Sequence, residues 1–334
     1  MPPCATNRSH DAFRQPVSDV PDAPGAAQLR FTDAQEQASA LHGWNQDYLQ
    51  LGAGAYRGQL CQVQGSGIRL FVEQVQQSVL QTGVLSSDVL AIGIPLQSGG
   101  AGVFCGSPCS TETLHVFSGS SGFEFRPPRL HTMLGIELRL GAAALSAVGN
   151  DTAIGHDQVL PLAPGALRPT PAALAEVRAY LLNLFQSAET RQDLLSNPAI
   201  IAAVADFLLD HMTRCSPATA LPANRDGHWS MLKRAIALAH ASPEHPTTVA
   251  QLCQDLGVSR RTLQTGFQRL LAVSPLAYLK AVRLHQARRA LKQSGSVTEA
   301  ATSCGFWHFG HFAQDYQALF GEKPSQTLRR HKGR

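Results

Sequence analysis

Hydrophobic positions change rhythm along the chain, and each rhythm predicts a different kind of structure. From Tyr56 to Leu140 they fall in short apolar or alternating runs: Gln59–Val63, Ile68–Val72, Val75–Leu80, Val89–Pro95, Thr113–Phe117 and Leu134–Leu140. Turns rich in Gly, Ser and Pro divide these runs, and strands at such spacing predict a small barrel or sandwich. From Pro171 to Arg214 the period lengthens. Leu174, Val177, Tyr180, Leu181, Leu184 and Phe185 recur every three or four residues, and Ile200, Ile201, Val204, Phe207, Leu208 and His211 do the same. This predicts two amphipathic helices that cap the β core or pair with a second subunit. Upstream, Phe31–Leu49 predicts one amphipathic helix. Residues 1–28, rich in Pro, Ala and Asp without periodicity, predict a disordered tail. The fold class expected is α+β, with a β-rich domain over 29–165, a helical segment over 166–214, a linker over 215–227 and an all-α domain over 228–334.

That last region carries one helical pattern twice. Thr248-Val249-Ala250-Gln251 leads to Leu256-Gly257 and then Ser259–Leu271; Ser296-Val297-Thr298-Glu299 leads to Cys304-Gly305 and then His308–Phe320. Up to the glycine the copies are offset by 48 residues. Beyond it Leu263, Phe267, Leu270 and Leu271 map to Phe312, Tyr316, Leu319 and Phe320 at an offset of 49. Each copy opens with the residues of a capping box, Thr248 with Gln251 and Ser296 with Glu299. Each first helix stops at a glycine suited to a left-handed terminus. Two helix-turn-helix motifs are therefore expected, over about 249–270 and 297–319.

The second helix of such a motif lies in the major groove and reads bases with its N-terminal side chains. Leu263 and Phe267 must face inward, which turns Arg260, Arg261, Gln264, Thr265 and Gln268 outward as candidate DNA contacts. Arginine pairs with guanine and glutamine with adenine through two hydrogen bonds each. In the second copy the positions of Arg261, Gln264 and Thr265 are held by Gly310, Ala313 and Gln314, with His308 and His311 nearby. That copy is expected to read fewer bases directly and to depend more on backbone contacts or DNA shape. Trp307-His308 stands where a Ser or Asp cap is easier to explain. Between the copies, Ser274-Pro275 predicts a helix start, and the helix to about Gln293 would span roughly 28 Å. His285, Arg288, Arg289 and Lys292 share a face of it, and serve equally as a solvated surface or as phosphate contacts.

Several strings identify a resemblance. Gly257-Val258-Ser259-Arg260-Arg261-Thr262-Leu263-Gln264, Arg283-Leu284 with Ala287 and Leu291, Gly305-Phe306, and Tyr316 with Phe320-Gly321 and Pro324 resemble the DNA-binding domain of AraC/XylS-type transcription regulators. The resemblance covers about a third of the chain. Within the family, Gly305-Phe306-Trp307-His308 and Glu322-Lys323-Pro324-Ser325 are most similar to activators of ethanolamine-utilisation operons. It implies promoter DNA and RNA polymerase as partners, a homodimer, a jelly-roll or cupin-like sensor domain, and a small-molecule effector. The effectors implied are ethanolamine with adenosylcobalamin, although no Asp-x-His-x-x-Gly cobalamin motif is present.

Charge supports this division. Residues 228–334 hold 15 Lys+Arg against 5 Asp+Glu, a balance of +10; residues 1–227 hold 13 against 19, or −6, which together give the +4 of the whole chain. A basic module joined to a mildly acidic one fits a DNA-binding domain attached to a domain with another task. No stretch of 18 or more apolar residues and no signal-peptide run occurs, so a cytoplasmic protein without a membrane partner is expected. The cysteines, Cys4, Cys61, Cys105, Cys109, Cys215, Cys253 and Cys304, are scattered and complete no zinc pattern. His115 and His131 lack the spacing of a metal-binding barrel and read as structural. Phe71, Phe104, Phe117, Phe123 and Phe125 serve equally as pocket lining or as core, whereas Arg126 and Arg129 read by default as loop charge in solvent, with a phosphate or carboxylate contact as the alternative. No catalytic set emerges. An alkylation-repair fusion would need the cysteine-ligated zinc and a Pro-Cys-His-Arg centre, and Ser107-Pro108-Cys109-Ser110 lacks the latter's His and Arg.

Overall fold

A computed structural model describes residues 27–118, 122–140, 163–218, 225–241 and 246–332. The amino-terminal half consists of antiparallel strands. β1 (Ala27–Phe31), β3 (Gly58–Gln64), β4 (Ile68–Val75), β6 (Val89–Gln97), β9 (Leu114–Val116), β11 (His131–Arg139), β12 (Gly165–Arg168) and β13 (Ser216–Pro217) form one sheet, in the order β1-β3-β4-β11-β6-β9-β12-β13. β2 (Gln46–Gln50), β5 (Val79–Gly83), β7 (Gly102–Phe104), β8 (Ser107–Cys109) and β10 (Phe123–Arg126) form the second, in the order β2-β5-β10-β7-β8.

Period-two patterning decides what each face meets. On β4, Ile68, Leu70 and Val72 face away from the second sheet; with Ile92, Leu134 and Ile136 they pack on Leu174, Leu181 and Phe185 of α2 (Pro171–Thr190) and on Val204 and Leu208 of α3 (Pro198–Thr213). Both helices begin as their sequences direct, with Thr170 and Asn197 capping and a proline in the first turn. The opposite face holds Phe71, which joins Trp44, Phe104, Phe117, Phe123 and Phe125 between the sheets. These rings meet one another at centroid distances of 4.8–6.4 Å, largely edge to face. The aromatic set left open between pocket and core is thus packed as core. His115 stacks on Phe104 at 4.7 Å and His131 lies edge-on to Phe125 at 5.3 Å, both buried. Buried carboxyls in this face have partners: Glu137 is ion-paired with Arg69 and accepts from the Trp44 indole, each at 2.9 Å, and Glu73 accepts from the neutral donors Gln37 and Tyr48.

Several expectations need correction. Phe31–Leu49 is not one helix but the end of β1, a short α1 (Ala34–Ala40) and most of β2. Val75–Leu80 is interrupted, since β4 ends at Val75 and β5 starts at Val79. The strands β7, β8, β10, β12 and β13, two to four residues long, are not among the expected strand runs. Their pairing comes from neighbours, with β7 and β8 joined by a hairpin through left-handed Cys105 and Gly106. Part of the expected linker, Ser216–Pro217, pairs with β12, and residues 219–224 lie outside the described residues. So does the tail, apart from Ala27–Gln28, which begin β1.

The carboxy-terminal part is helical: α4 (Arg225–Ala241), α5 (Val249–Leu256), α6 (Arg260–Leu271), α7 (Pro275–Leu291), α8 (Val297–Ser303), α9 (Phe309–Phe320) and α10 (Pro324–Lys332). Two apolar cores serve it. One gathers Leu252, Leu263, Phe267 and Tyr278 under α4, the other Leu284, Ala301, Phe312, Tyr316 and Phe320. α7 contributes to both and so joins the two halves.

Candidate DNA interface

The first helix pair folds as its local sequence demands. Thr248 accepts from the Gln251 amide at 3.2 Å and Gln251 Oε1 accepts from the Thr248 amide at 2.8 Å, completing the capping box. Gly257 ends α5 at φ 65°, and two residues later Ser259 caps α6 by accepting from Thr262 N–H at 3.1 Å. With Leu263, Phe267, Leu270 and Leu271 buried, Arg260, Arg261, Gln264, Thr265 and Gln268 all stand exposed on one side of α6.

The second pair is built less tightly. Ser296 accepts from Glu299 N–H at 3.1 Å, but the Glu299 carboxylate turns to the Ser294 hydroxyl at 2.7 Å. Only half of the expected capping box forms. Gly305 adopts φ 73°, as its counterpart does, and His308 precedes α9 without a side-chain cap. His308, His311 and Gln314 are exposed. Trp307 is 73 % and Phe309 43 % exposed, two large rings at the start of α9 whose exposure the sequence pattern left unread.

The starts of α6 and α9 border one groove of about 970 Å³. Arg260, Trp307, His308 and His311 line it, together with Leu276, Lys280 and Arg283 of α7. Arg283 is fixed there, donating to the Gly305 carbonyl at 2.5 Å with its guanidinium 4.3 Å from the Phe306 ring centre.

The other face of α7 overturns an expectation. Arg288 is 5 % exposed and is withdrawn from the candidate DNA contacts. Its Nε donates to Asp33 at 2.7 Å, its Nη2 reaches Glu322 at 2.9 Å, and the guanidinium lies 4.4 Å from the centre of the Phe320 ring. Lys292 meets Asp33 at 3.1 Å and Glu36 at 3.2 Å; Arg289, half exposed, meets Asp47 at 3.4 Å. His285 accepts from Gln50 N–H at 2.9 Å. This face is covered by α1 and β2, because α7 is wound so that residues 285, 288 and 292 lie opposite 276, 280 and 283. Burial raises and the two cations lower the Asp33 carboxyl, and the cations win, holding it well below the usual carboxylate range. Burial pushes the His285 imidazole down to about 3, so it stays neutral.

The β domain also holds the far ends of both exposed helices. Arg126 Nε donates to the Leu270 carbonyl at 2.8 Å in the last turn of α6. Gly54 N–H donates to Ala318 O at 2.9 Å and Gln50 Nε2 to Leu319 O at 2.7 Å, in the last turn of α9. Terminal carbonyls lack partners inside their own helix, so these contacts satisfy groups that otherwise need water. Arg126, read from sequence by default as loop charge with an anion contact as the alternative, serves this purpose instead.

The helix-turn-helix domain family model matches residues 252–330, spanning both helix pairs. Over 117 residues the chain is 39 % identical to the "Probable thc operon regulatory protein" of Rhodococcus erythropolis, covering 34 % of this chain and 33 % of that one. The helical domain is an AraC/XylS-type DNA-binding domain. It is 32 % identical over 104 residues to a "XylDLEGF operon transcriptional activator 2" of Pseudomonas putida, covering 30 % of this chain and 66 % of that protein. It is also similar to the crystal structure of a "probable AraC family transcriptional regulator" from Rhodopseudomonas palustris at 40 % identity, covering 30 % of this chain and 97 % of that one with a TM-score of 0.29. The chain spans about a third of the length of the Rhodococcus protein. Among the described residues no group of three or more His, Cys, Asp and Glu is placed to hold a metal, and no helix is long and apolar enough to cross a membrane.

Proposed function

We propose that this protein is a one-component, ligand-responsive transcription activator that binds promoter DNA through both helix pairs. One observation carries the reading: the N-terminal parts of α6 and α9 are exposed, with Arg260, His308 and His311 lining one groove, whereas the C-terminal ends of both helices are held by the β domain. Arg260, Arg261, Gln264, Thr265 and Gln268 read the first segment, with His308, His311 and Gln314 on the second. Two readers about one duplex turn apart occupy roughly 17–20 base pairs.

The β domain, of jelly-roll type by resemblance, is the sensor. An effector that binds better to one arrangement of the two domains shifts the population between them, and the contacts at α7, Leu270 and Leu319 are the route by which that preference reaches the readers. The resemblance assigns ethanolamine with adenosylcobalamin as effectors. α2 and α3, already packed on the sheet through one face, carry the dimer contact through the other, and RNA polymerase is the further partner. No chemistry is required, and the protein works in the cytoplasm.

Selection from a random duplex library followed by footprinting tests the DNA reading. A protected site with two segments about 10 base pairs apart is expected; equal affinity for selected and random duplexes would sink it. Calorimetric titration with ethanolamine, with and without adenosylcobalamin, tests the effector separately, and no heat in either case removes that assignment.

A further inference from the structure

The second helix pair is short of hydrogen-bonding side chains where the first has Arg261 and Gln264, since Gly310 and Ala313 stand there. It exposes aromatic rings instead. Six large hydrophobic side chains are exposed among the described residues, and three of them, Leu276 at 66 %, Trp307 at 73 % and Phe309 at 43 %, are on α7 and at the start of α9. Leu276 and Trp307 line the groove itself. The neighbouring Phe306 shows the contrast. It packs on Phe312 at 4.9 Å and under the Arg283 guanidinium, whereas the Trp307 and Phe309 rings stack on no other ring among the described residues. His308 leaves the start of α9 without a side-chain cap, so this sequence does not serve helix initiation either. Folding explains neither exposed ring. Clustered apolar exposure rimmed by polar residues marks a contact surface.

Resting on the reading of this face as the DNA interface, we propose that Trp307 and Phe309 are specificity determinants that read thymine methyl groups in the second half of the site. The occupant is duplex DNA, on the grounds of position and charge. The rings flank His308 at the N-terminal end of a helix, and Trp307 lines the same groove as Arg260, Lys280, His308 and His311, in a module with a balance of +10. Among the groups displayed on the major-groove floor, the thymine C5 methyl is the apolar one, and it is the group that apolar side chains contact. The two halves of the site would then be read by different chemistry: hydrogen bonds from α6, and methyl contacts from the start of α9.

The test replaces thymine by deoxyuridine in a site selected by the full-length protein. This removes the methyl and leaves every base-pairing group in place. For each contacted thymine in the second segment, binding by the wild-type protein is expected to weaken about fourfold, the worth of one buried carbon group. Trp307→Ala and Phe309→Ala, both solvent-facing substitutions, should bind thymine and deoxyuridine sites alike. Equal wild-type affinity for the two sites overturns the proposal, as does undiminished sensitivity in both variants. If the wild-type protein prefers its selected site over random duplex but ignores the methyl, this inference alone fails. If it shows no preference at all, the DNA-reading proposal beneath it fails too.

Discussion

Asp33→Asn tests how strongly the two domains are held together. Asp33 is a demanding position because it does two jobs. Its Oδ1 accepts from Gln35 and Glu36 N–H at 2.8 and 3.2 Å, capping α1, while Oδ2 receives Arg288 and Lys292. Asparagine retains a capping oxygen and removes the charge, so the substitution isolates the ion pair. Breaking a buried pair from one side costs ~3–5 kcal/mol. Here Glu322 still faces Arg288 and Glu36 still faces Lys292, so the loss is expected to be about 2–3 kcal/mol. The measurement is urea unfolding of the full chain in a double-mutant cycle with Arg288→Met. A coupling energy above ~1.5 kcal/mol is expected, whereas the same cycle at Asp47 and Arg289, where the guanidinium side chain is 45 % exposed, should give ~0.2–1 kcal/mol. An unchanged urea midpoint for Asp33→Asn, or equal coupling in the two cycles, would refute the argument that α7 is clamped through its buried face.

Arg261→Ala and Gln264→Ala should each weaken binding to the selected site by ~1–3 kcal/mol and leave random duplex nearly unaffected; a uniform loss on all sequences would make both backbone contacts. Gln314→Ala should cost less, and an equal loss would reverse the ranking of the two halves. Burial lowers His115 and His285 to about 3 and His131 to about 4, below the ordinary imidazole value, so the unfolded chain takes up these protons first. Their stabilising effect is therefore complete above pH ~6.5 and falls by up to ~1.4 kcal/mol per histidine for each pH unit below it, until the folded-state values are reached. A urea midpoint that is the same at pH 7 and pH 5 would contradict this. Gly257→Ala should cost only ~1 kcal/mol, since its φ of 65° is strained for alanine but nothing lies within 4 Å of the added carbon. Gly321→Ala should cost more, because there the added carbon meets the Ala55 backbone nitrogen at 2.6 Å. Equal Tm losses in the two variants would refute the close approach of the domains at Gly321.

Sequence alone determined what depends on neighbours along the chain. The duplicated rhythm placed α5, α6, α8 and α9 within a residue or two. Thr248, Ser259 and Ser274 cap where their side-chain chemistry requires, and Gly257 and Gly305 turn left-handed where a helix must stop. The outward faces of α6 followed as well, because Leu263 and Phe267 leave a single orientation. Tertiary structure decided the rest. A helical period says which side chains of α7 share a face, but not whether water, phosphate or protein covers it; Asp33 lies 255 residues from Arg288 in the chain, and no local pattern links them. Likewise β7, β8 and β10 are too short to announce themselves and exist because β10 pairs with β5 and then passes the ladder on to β7 and β8. Periodicity records the local half of a contact, and the other half is supplied only when distant segments meet.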